Sequence, residues 1–214
     1  MPNRASATNE RGASILELMT TVLLIGVVMA AVMGGIFSAQ RAVTGASLRL
    51  ENLDQARTLM ASLTKDVRTA VRLQAGTSPF TTADKNHAVF YANLSTTSAP
   101  KKVDLSIDSQ SRLIETVWTA DAGSSAPNYT YTGASTVRLV GRYVANSATS
   151  PLFTYLDSDG DALTSTPLNA TDLLAVQAVQ INLVVKKTTA SKLNATTLVN
   201  QVRLPNLDYN DVAG

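Results

Sequence analysis

Cysteine is absent from this chain of 214 residues. Its absence excludes disulfide bonds, thiolate metal sites and cysteine nucleophiles, so the stability of the fold must come from packing. A chain without thiols tolerates any redox environment. The absence is therefore compatible with export but does not identify a compartment.

Histidine is almost as scarce, because His87 is the only one in the chain. Any catalytic dyad or triad built on histidine would have to use it, and no nucleophile motif lies near it in the sequence. A glycine-rich phosphate loop is also missing, since Gly34-Gly35 falls within an apolar run. We therefore expect no enzymatic activity, and no cofactor other than calcium.

Charged side chains make up only 16% of the chain, and the net charge of +2 arises from dispersed lysines and arginines. A nucleic-acid partner is therefore not indicated, although the question stays open. Aromatic residues account for 5%. They could form a stacking surface for a ligand or for single-stranded DNA, or they could pack a sheet against a helix. The residues concerned are Trp118, Tyr129, Tyr131, Tyr143 and Tyr155.

One long apolar run is present, from Ala13 to Phe37, and it is about long enough to cross a bilayer as a helix. It contains a single ionisable side chain, Glu17. A charge there costs roughly 2.5 to 3.5 kcal/mol on insertion scales, so Glu17 should have a function and a partner. Arg4 and Arg11 mark the N-terminal side as cytoplasmic. The alternative is a cleaved signal peptide, whose apolar region has only about 7 to 15 residues.

The same helix is predicted to continue beyond the apolar run. Apolar residues recur at steps of three and four, which places them on one face: Leu53, Ala56, Met60, Leu63, Val67 and Ala70. We expect one helix from Ala13 to Leu73, about 90 Å long at 1.5 Å per residue, ended by Gly76 and Pro79. The domain boundaries that follow are 13–37 for the transmembrane and assembly helix, 38–75 for its amphipathic continuation, and 76–214 for a β-rich domain.

Small residues are spaced four apart in the apolar run, at Gly26, Ala30 and Gly34. This spacing lets helix backbones approach closely in a membrane. The alternative is that glycine is simply more frequent in membrane helices. Both interpretations remain open on the sequence alone.

The residues after Gly76 predict short antiparallel strands separated by turns. Val103–Ile107 and Leu113–Thr119 flank turn residues and predict a hairpin, and Leu198–Leu204 is expected to pair back on Val179–Val185 through a polar loop. The other predicted strands are His87–Tyr91, Thr136–Val144 and Leu152–Leu156. With no second long helix, the predicted class is α+β, a long helix packed on an antiparallel sheet.

The N-terminal residues resemble the class III leader of type IV prepilins and type II secretion pseudopilins. In that family a short charged leader ends in glycine, the next residue becomes the mature N-terminus, and a glutamate follows within the apolar stretch. The matching residues are Gly12, Ala13 and Glu17. The resemblance implies that residues 1–12 are a leader, that a prepilin peptidase cuts between Gly12 and Ala13, and that Ala13 is the site of N-methylation. Ala13 departs from the family's commonest first mature residue, phenylalanine or methionine.

The resemblance also implies a partner for Glu17, namely the N-terminal amine of Ala13 on a neighbouring subunit of a filament. A carboxylate and an ammonium group are each costly when unpaired in a dry helix bundle. A subunit in the wrong position would leave both charges unpaired. The ion pair is therefore expected to select the register of assembly.

Beyond the leader, the chain is similar to the larger minor pilins, of the PilW-like or pseudopilin J-like kind. The similarity lies in Glu51–Arg72, Phe153–Gly160, Val176–Val185 and Val202–Leu204. It implies a structural subunit that joins, primes or caps a type IV pilus or a type II secretion pseudopilus. Its partners would be other pilin subunits, the prepilin peptidase, the inner-membrane assembly platform and the lipid bilayer. The alternative is a binding module displayed on the filament, either an adhesin or a receptor for DNA uptake in competence.

The expected location follows from the same resemblance. The chain would cross the cytoplasmic membrane once, with its C-terminal domain outside, and then enter an extracellular or periplasmic filament. The whole chain would thus serve an assembly function, with the helix supplying assembly and the β-rich domain supplying specific contacts.

Alternating carboxylates at Asp157, Asp159 and Asp161 suggest a calcium site, with Asp172 as an additional ligand. Some pseudopilins bind calcium in this region of the fold. The EF-hand pattern is not met, because glycine falls at the fourth position and Leu168 stands where the bidentate glutamate belongs. An Asp-Gly turn without metal is the alternative.

Overall fold

The computed structural model describes residues 15–94, 99–187 and 195–205. The chain divides into two compact units, Met1–Ser47 and Leu48–Gly214. The predicted α+β class is confirmed, because a long N-terminal helix is followed by antiparallel sheets. This arrangement is compatible with the pilin fold.

Helix α1, Ile15–Arg68, supplies all the described structure of the first unit and the beginning of the second. Its first half is apolar on every side, and none of the residues from Ile15 to Val43 is buried. By length and composition this helix is sufficient to cross a membrane. A helix that is apolar all round needs lipid or other helices around it.

The second half of α1, residues 48–68, buries one face, as its spacing predicts. Ala56, Leu59, Leu63 and Val67 lie at most 1% exposed within the hydrophobic core. The two flanks of this segment are anchored at different places in the second unit. On one flank Gln55 donates a hydrogen bond to the carbonyl of Arg142, 2.8 Å away. On the other, Asn200 donates to the Thr64 hydroxyl at 2.9 Å.

The C-terminal end of α1 differs from the prediction, since the helix stops at Arg68 and not at Leu73 or Ala75. The amides of Thr69 and Ala70 donate to the carbonyls three residues earlier, which tightens the last turn. Ala70 then pairs with Ala92 as an antiparallel bridge. The backbone therefore leaves the helix because a neighbouring strand supplies its hydrogen bonds.

The remaining elements form two antiparallel sheets. The first has five strands in the order β1-β2-β3-β4-β5, and the second has three in the order β6-β7-β8. The elements are β1 Phe80–Ala83, β2 His87–Ala92, β3 Lys101–Ile107, β4 Leu113–Trp118, β5 Ser135–Gly141, β6 Phe153–Leu156, helix α2 Ala170–Ala175, β7 Ala178–Val185 and β8 Thr196–Arg203.

Both predicted strand pairs are confirmed. β3 and β4 form a hairpin whose turn is held by Asp108, which accepts hydrogen bonds from the amides of Gln110 and Arg112 at 2.9 and 2.8 Å. β7 pairs with β8 along its full length. The division of the strands into two sheets was not predicted; it arises because β6 pairs with β7 and not with β5. β1 and the short helix α2 were not predicted.

The five-stranded sheet has a buried face and an outer face. Phe90 of β2, Val103 and Leu105 of β3, and Leu113 of β4 belong to the hydrophobic core shared with α1. The alternate residues of these strands point away from it. β5 is the most exposed strand, and only its last two residues, Val140 and Gly141, are even half-buried.

Candidate functional site

The predicted processing site, Gly12 and Ala13, lies outside the described residues. Cleavage between them and N-methylation of Ala13 therefore stay predictions. The first described residue is Ile15, where α1 begins.

Glu17 lies in the first turn of α1, and its side chain is exposed. The hydroxyls of Thr20 and Thr21 donate to the Glu17 carbonyl oxygen at 2.9 and 2.7 Å. These two polar side chains are therefore satisfied within the helix, which suits them to an apolar environment. The Glu17 carboxylate has no comparable partner, because no ion pair between described residues involves it.

The small residues Gly26, Ala30 and Gly34 are exposed on the first half of α1. A Cβ atom added at Gly26 or Gly34 would meet no heavy atom within 4 Å. The surface at these positions is therefore open to a neighbouring helix or to lipid. Which of the two covers it stays a prediction.

Two of the four carboxylates of the calcium hypothesis, those of Asp157 and Asp172, accept hydrogen bonds within the fold. One oxygen of Asp157 accepts from the amides of Asp159 and Asp161 at 3.0 and 2.9 Å, which is the geometry of an Asp-Gly turn. Asp172 accepts from the Asn169 side-chain amide at 2.9 Å and from the Ser165 hydroxyl, at the start of α2. Across the parts of the chain that the structure describes, no three histidine or acidic side chains are grouped as a metal site requires.

The aromatic residues singled out by sequence are divided between the core and the surface. Tyr155 is 3% exposed and packs edge-on against Phe80 with ring centroids 5.5 Å apart. Trp118 and Tyr131 instead belong to a group of half-buried side chains on the outer face of the five-stranded sheet. Tyr129 is half-buried and Tyr143 is 38% exposed, and neither has a ring contact among the described residues.

We call the group Tyr91, Lys102, Trp118 and Tyr131 the aromatic row. Tyr91, Lys102 and Trp118 face one another across β2, β3 and β4. The Lys102 ammonium lies 5.4 Å from the centre of the Trp118 ring, and the Tyr91 and Tyr131 rings are 5.4 Å apart. Tyr131 donates to the Pro100 carbonyl at 2.8 Å, and burial raises the pKa of its hydroxyl well above the usual range. Sequence reasoning missed Tyr91 and Lys102, although strand alternation could have placed them beside Trp118.

His87 lies on the same outer face of the sheet. Its Nε2 atom is 3.1 Å from a carboxylate oxygen of Asp104, and both side chains are partly exposed. The pair joins β2 to β3 across the sheet. It is a surface contact between neighbouring strands.

A cluster of buried charges was not predicted from the sequence. Asp66 of α1 and Glu115 of β4 are 5% and 4% exposed, and Arg138 of β5 lies beside both. The Arg138 Nε atom donates to Glu115 at 2.6 Å, whereas its Nη2 atom is 3.7 Å from the nearer Asp66 oxygen. The Ser62 hydroxyl bridges the remaining gap, at 3.4 Å from Arg138 and 3.5 Å from Asp66.

The cluster changes the acidity of Asp66. Burial, followed by the neighbouring charge of Glu115, raises the pKa of the Asp66 carboxyl from 3.8 to about 6, and Arg138 and Lys65 only partly oppose this rise. The sequence signal that could have found the cluster is the occurrence of Asp66 on the apolar stripe of α1, next to Val67 and three residues after Leu63.

Comparison with known proteins adds no family assignment: no protein-family model matches this chain, and neither a curated protein nor a solved structure does.

Proposed function

We propose that the chain is a minor prepilin-like subunit. It is cleaved after Gly12, remains in the cytoplasmic membrane through residues 13–37, and joins, primes or caps a type IV pilus or a type II secretion pseudopilus. The β-rich unit lies outside the membrane and supplies the specific contacts to other subunits.

Glu17 is the observation that carries this proposal. It is the only ionisable side chain from Ile15 to Phe37, and it lies on a helix segment whose side chains are exposed. No described residue of the chain forms an ion pair with it. A carboxylate in such a helix needs a partner. The amine that cleavage would free at Ala13 of a neighbouring subunit has the complementary charge, and Ala13 is four positions from Glu17 in the sequence.

The fold gives further support. A pilin needs an apolar helix for assembly and a body that packs on the same helix. Here one uninterrupted helix, Ile15–Arg68, is exposed and apolar in its first half and buries one face against antiparallel sheets in its second.

The test is Glu17→Ala in cells that carry a pilus or pseudopilus machine. We expect the variant to insert in the membrane and to be cleaved, but to decrease at least about tenfold in sheared filaments, because the partner amine is left unpaired. Thr21→Ala is the matched control in the same apolar run and should assemble normally, since its hydroxyl bonds only within the helix. Normal incorporation of Glu17→Ala would refute the ion-pair role.

The aromatic row favours a second candidate, a binding module displayed on the filament. Aromatic rings combined with a lysine are the groups that bind single-stranded DNA by stacking and charge. If the row binds DNA, the full chain in detergent should retain labelled single-stranded DNA at low salt and release it at high salt. Trp118→Ala should abolish this retention, whereas Tyr143→Ala, outside the row, should not. Equal retention by both variants would remove the row from consideration.

A further inference from the structure

The buried carboxylates of Asp66 and Glu115 are not balanced by the one guanidinium group beside them, that of the exposed Arg138. Two carboxylates share one guanidinium group, and among the described residues the only other charge that acts on Asp66 is that of the exposed Lys65 on its own helix. Arg138 makes its short contact with Glu115, so Asp66 is left with a 3.7 Å ion pair and a weak hydrogen bond from Ser62. A buried carboxylate in this position takes up a proton at a higher pH than an exposed one does.

A proton on Asp66 would satisfy both acids. The neutral carboxyl can donate a hydrogen bond to the Glu115 carboxylate, and this bond is one of the contributions that raise the pKa of Asp66. Glu115 would then accept from both Asp66 and Arg138, and a single negative charge would face a single positive charge. Without the proton, two like charges would face each other across the interface between α1 and β4.

The cluster joins three elements of the second unit. Asp66 lies in the last turn of α1, Glu115 on β4 and Arg138 on β5. β5 is an edge strand of the five-stranded sheet, and its first five residues are exposed. It is held in place by β4 and α1. A change of charge in this cluster therefore acts on the contact between α1 and the edge of the sheet.

We propose that Asp66 and Glu115 form a proton-dependent clamp that holds the end of α1 on β4 and β5 more tightly at mildly acidic pH than at neutral pH. The clamp goes beyond the proposed assembly function and does not depend on it. It would let the second unit respond to acidification of its surroundings.

The direction follows from the pKa of Asp66, which is raised in the folded protein. Its contribution to stability is fully present below pH 3.8 and is lost as the pH rises through about 6. Between pH 5 and pH 7 the equilibrium for opening the contact should therefore increase about tenfold.

The experiment measures amide hydrogen exchange of the full chain in detergent micelles at pH 5 and pH 7, corrected for the intrinsic rates. From pH 5 to pH 7, protection of residues 59–68 and 135–141 should fall about tenfold more in the unmodified chain than in Asp66→Asn. The substituted side-chain amide is neutral and can donate a hydrogen bond at every pH, so it should not respond to this change. Asp54→Asn, an exposed aspartate on the same helix, should behave like the unmodified chain. Identical pH profiles for the unmodified chain and Asp66→Asn would overturn the clamp.

A second variant decides the matter if Asp66→Asn fails to fold. Glu115→Gln removes the neighbouring negative charge, so the pH at which protection is lost should shift toward the acid side. A profile in Glu115→Gln that loses protection at the same pH as the unmodified chain would also overturn the clamp.

Discussion

Each half of α1 has a carboxylate in apolar surroundings, and the two carboxylates differ in whether described residues of the chain interact with them. Glu17 lies in the exposed, apolar half, and no described residue of the chain forms an ion pair with it. Asp66 lies in the half that packs on the sheets, where Arg138 forms an ion pair with it and the Ser62 hydroxyl donates a hydrogen bond to it. A charge that costs free energy to bury needs a partner in both places. The fold supplies partners for Asp66, and for Glu17 we propose a partner on a neighbouring subunit.

The same contrast holds for the apolar side chains. Leu23 and Val27 of the first half are 66% and 60% exposed, whereas Leu59 and Leu63 of the second half are at most 1% exposed. Substitutions in the first half should therefore affect assembly and insertion, and substitutions in the second half should affect folding.

The largest effect is expected at Gly12. Replacement of Gly12 by valine should leave uncleaved precursor in the membrane, because a branched side chain would obstruct the peptidase beside the proposed scissile bond. The uncleaved chain also lacks the free amine of Ala13, so Glu17 would lose its proposed partner. Immunoblots of membrane fractions measure the size of the product. Gly26→Ala, where an added Cβ meets nothing within 4 Å, is the control and should be processed normally.

A mature-sized product from Gly12→Val would contradict the cleavage site. In that case the apolar run would be a membrane anchor that Gly12 does not help to process. The two halves of α1 would still differ in burial, but the proposed assembly function of the first half would lose its support.

The next effect in size concerns the folding half of α1. Leu59→Ala should lower the free energy of unfolding by about 2 to 5 kcal/mol, because it leaves a cavity in the core. Leu50 lies nine residues earlier, on the opposite face of the helix, and is 68% exposed. Leu50→Ala should change stability by less than about 0.5 kcal/mol. Denaturant unfolding of the full chain in detergent, followed by Trp118 fluorescence, would compare the two, and equal losses would contradict the assignment of the buried face.

A smaller loss is expected where β5 meets the same leucine. A Cβ atom added at Gly141 would lie 2.9 Å from Leu59 Cδ1 and Cγ and still closer to Cδ2. Gly141→Ala should therefore cost about 1 to 3 kcal/mol through overpacking. Because Leu59→Ala removes the obstructing atoms, the double variant should lose less stability than the sum of the two single losses. Additive losses would show that this contact does not limit the packing.

Sequence patterns predicted the long helix, the buried stripe of α1 and both main strand pairs, because helix and strand periodicities are set by local side-chain spacing. They did not predict the end of α1, since Ala70 leaves the helix to pair with Ala92, a residue more than twenty positions away. The separation into two sheets was not predicted for the same reason, because β6 pairs with β7, whose residues lie more than twenty positions later in the chain.

The candidate sites also differ in whether local sequence patterns or long-range packing defines them. Glu17 stands out in the sequence because every side chain near it is apolar or uncharged. The buried cluster does not stand out, because its three members are separated by 49 and 23 residues and only the fold brings them together. Local patterns reveal a charge that lacks a partner, but they cannot reveal partners that tertiary packing supplies.

The smallest effect is expected for a third carboxylate of α1, Glu51, which pairs with Lys187 at the surface. Both side chains are partly exposed, so the pair should contribute less than about 1 kcal/mol, as surface pairs usually do. Glu51→Ala, Lys187→Ala and the double variant, unfolded in denaturant at low and at high salt, would give the coupling energy. We expect it to be small at low salt and to vanish at high salt, because mobile ions screen exposed charges. A coupling that high salt leaves unchanged would place Glu51 with Asp66, among the carboxylates that the fold shields from solvent.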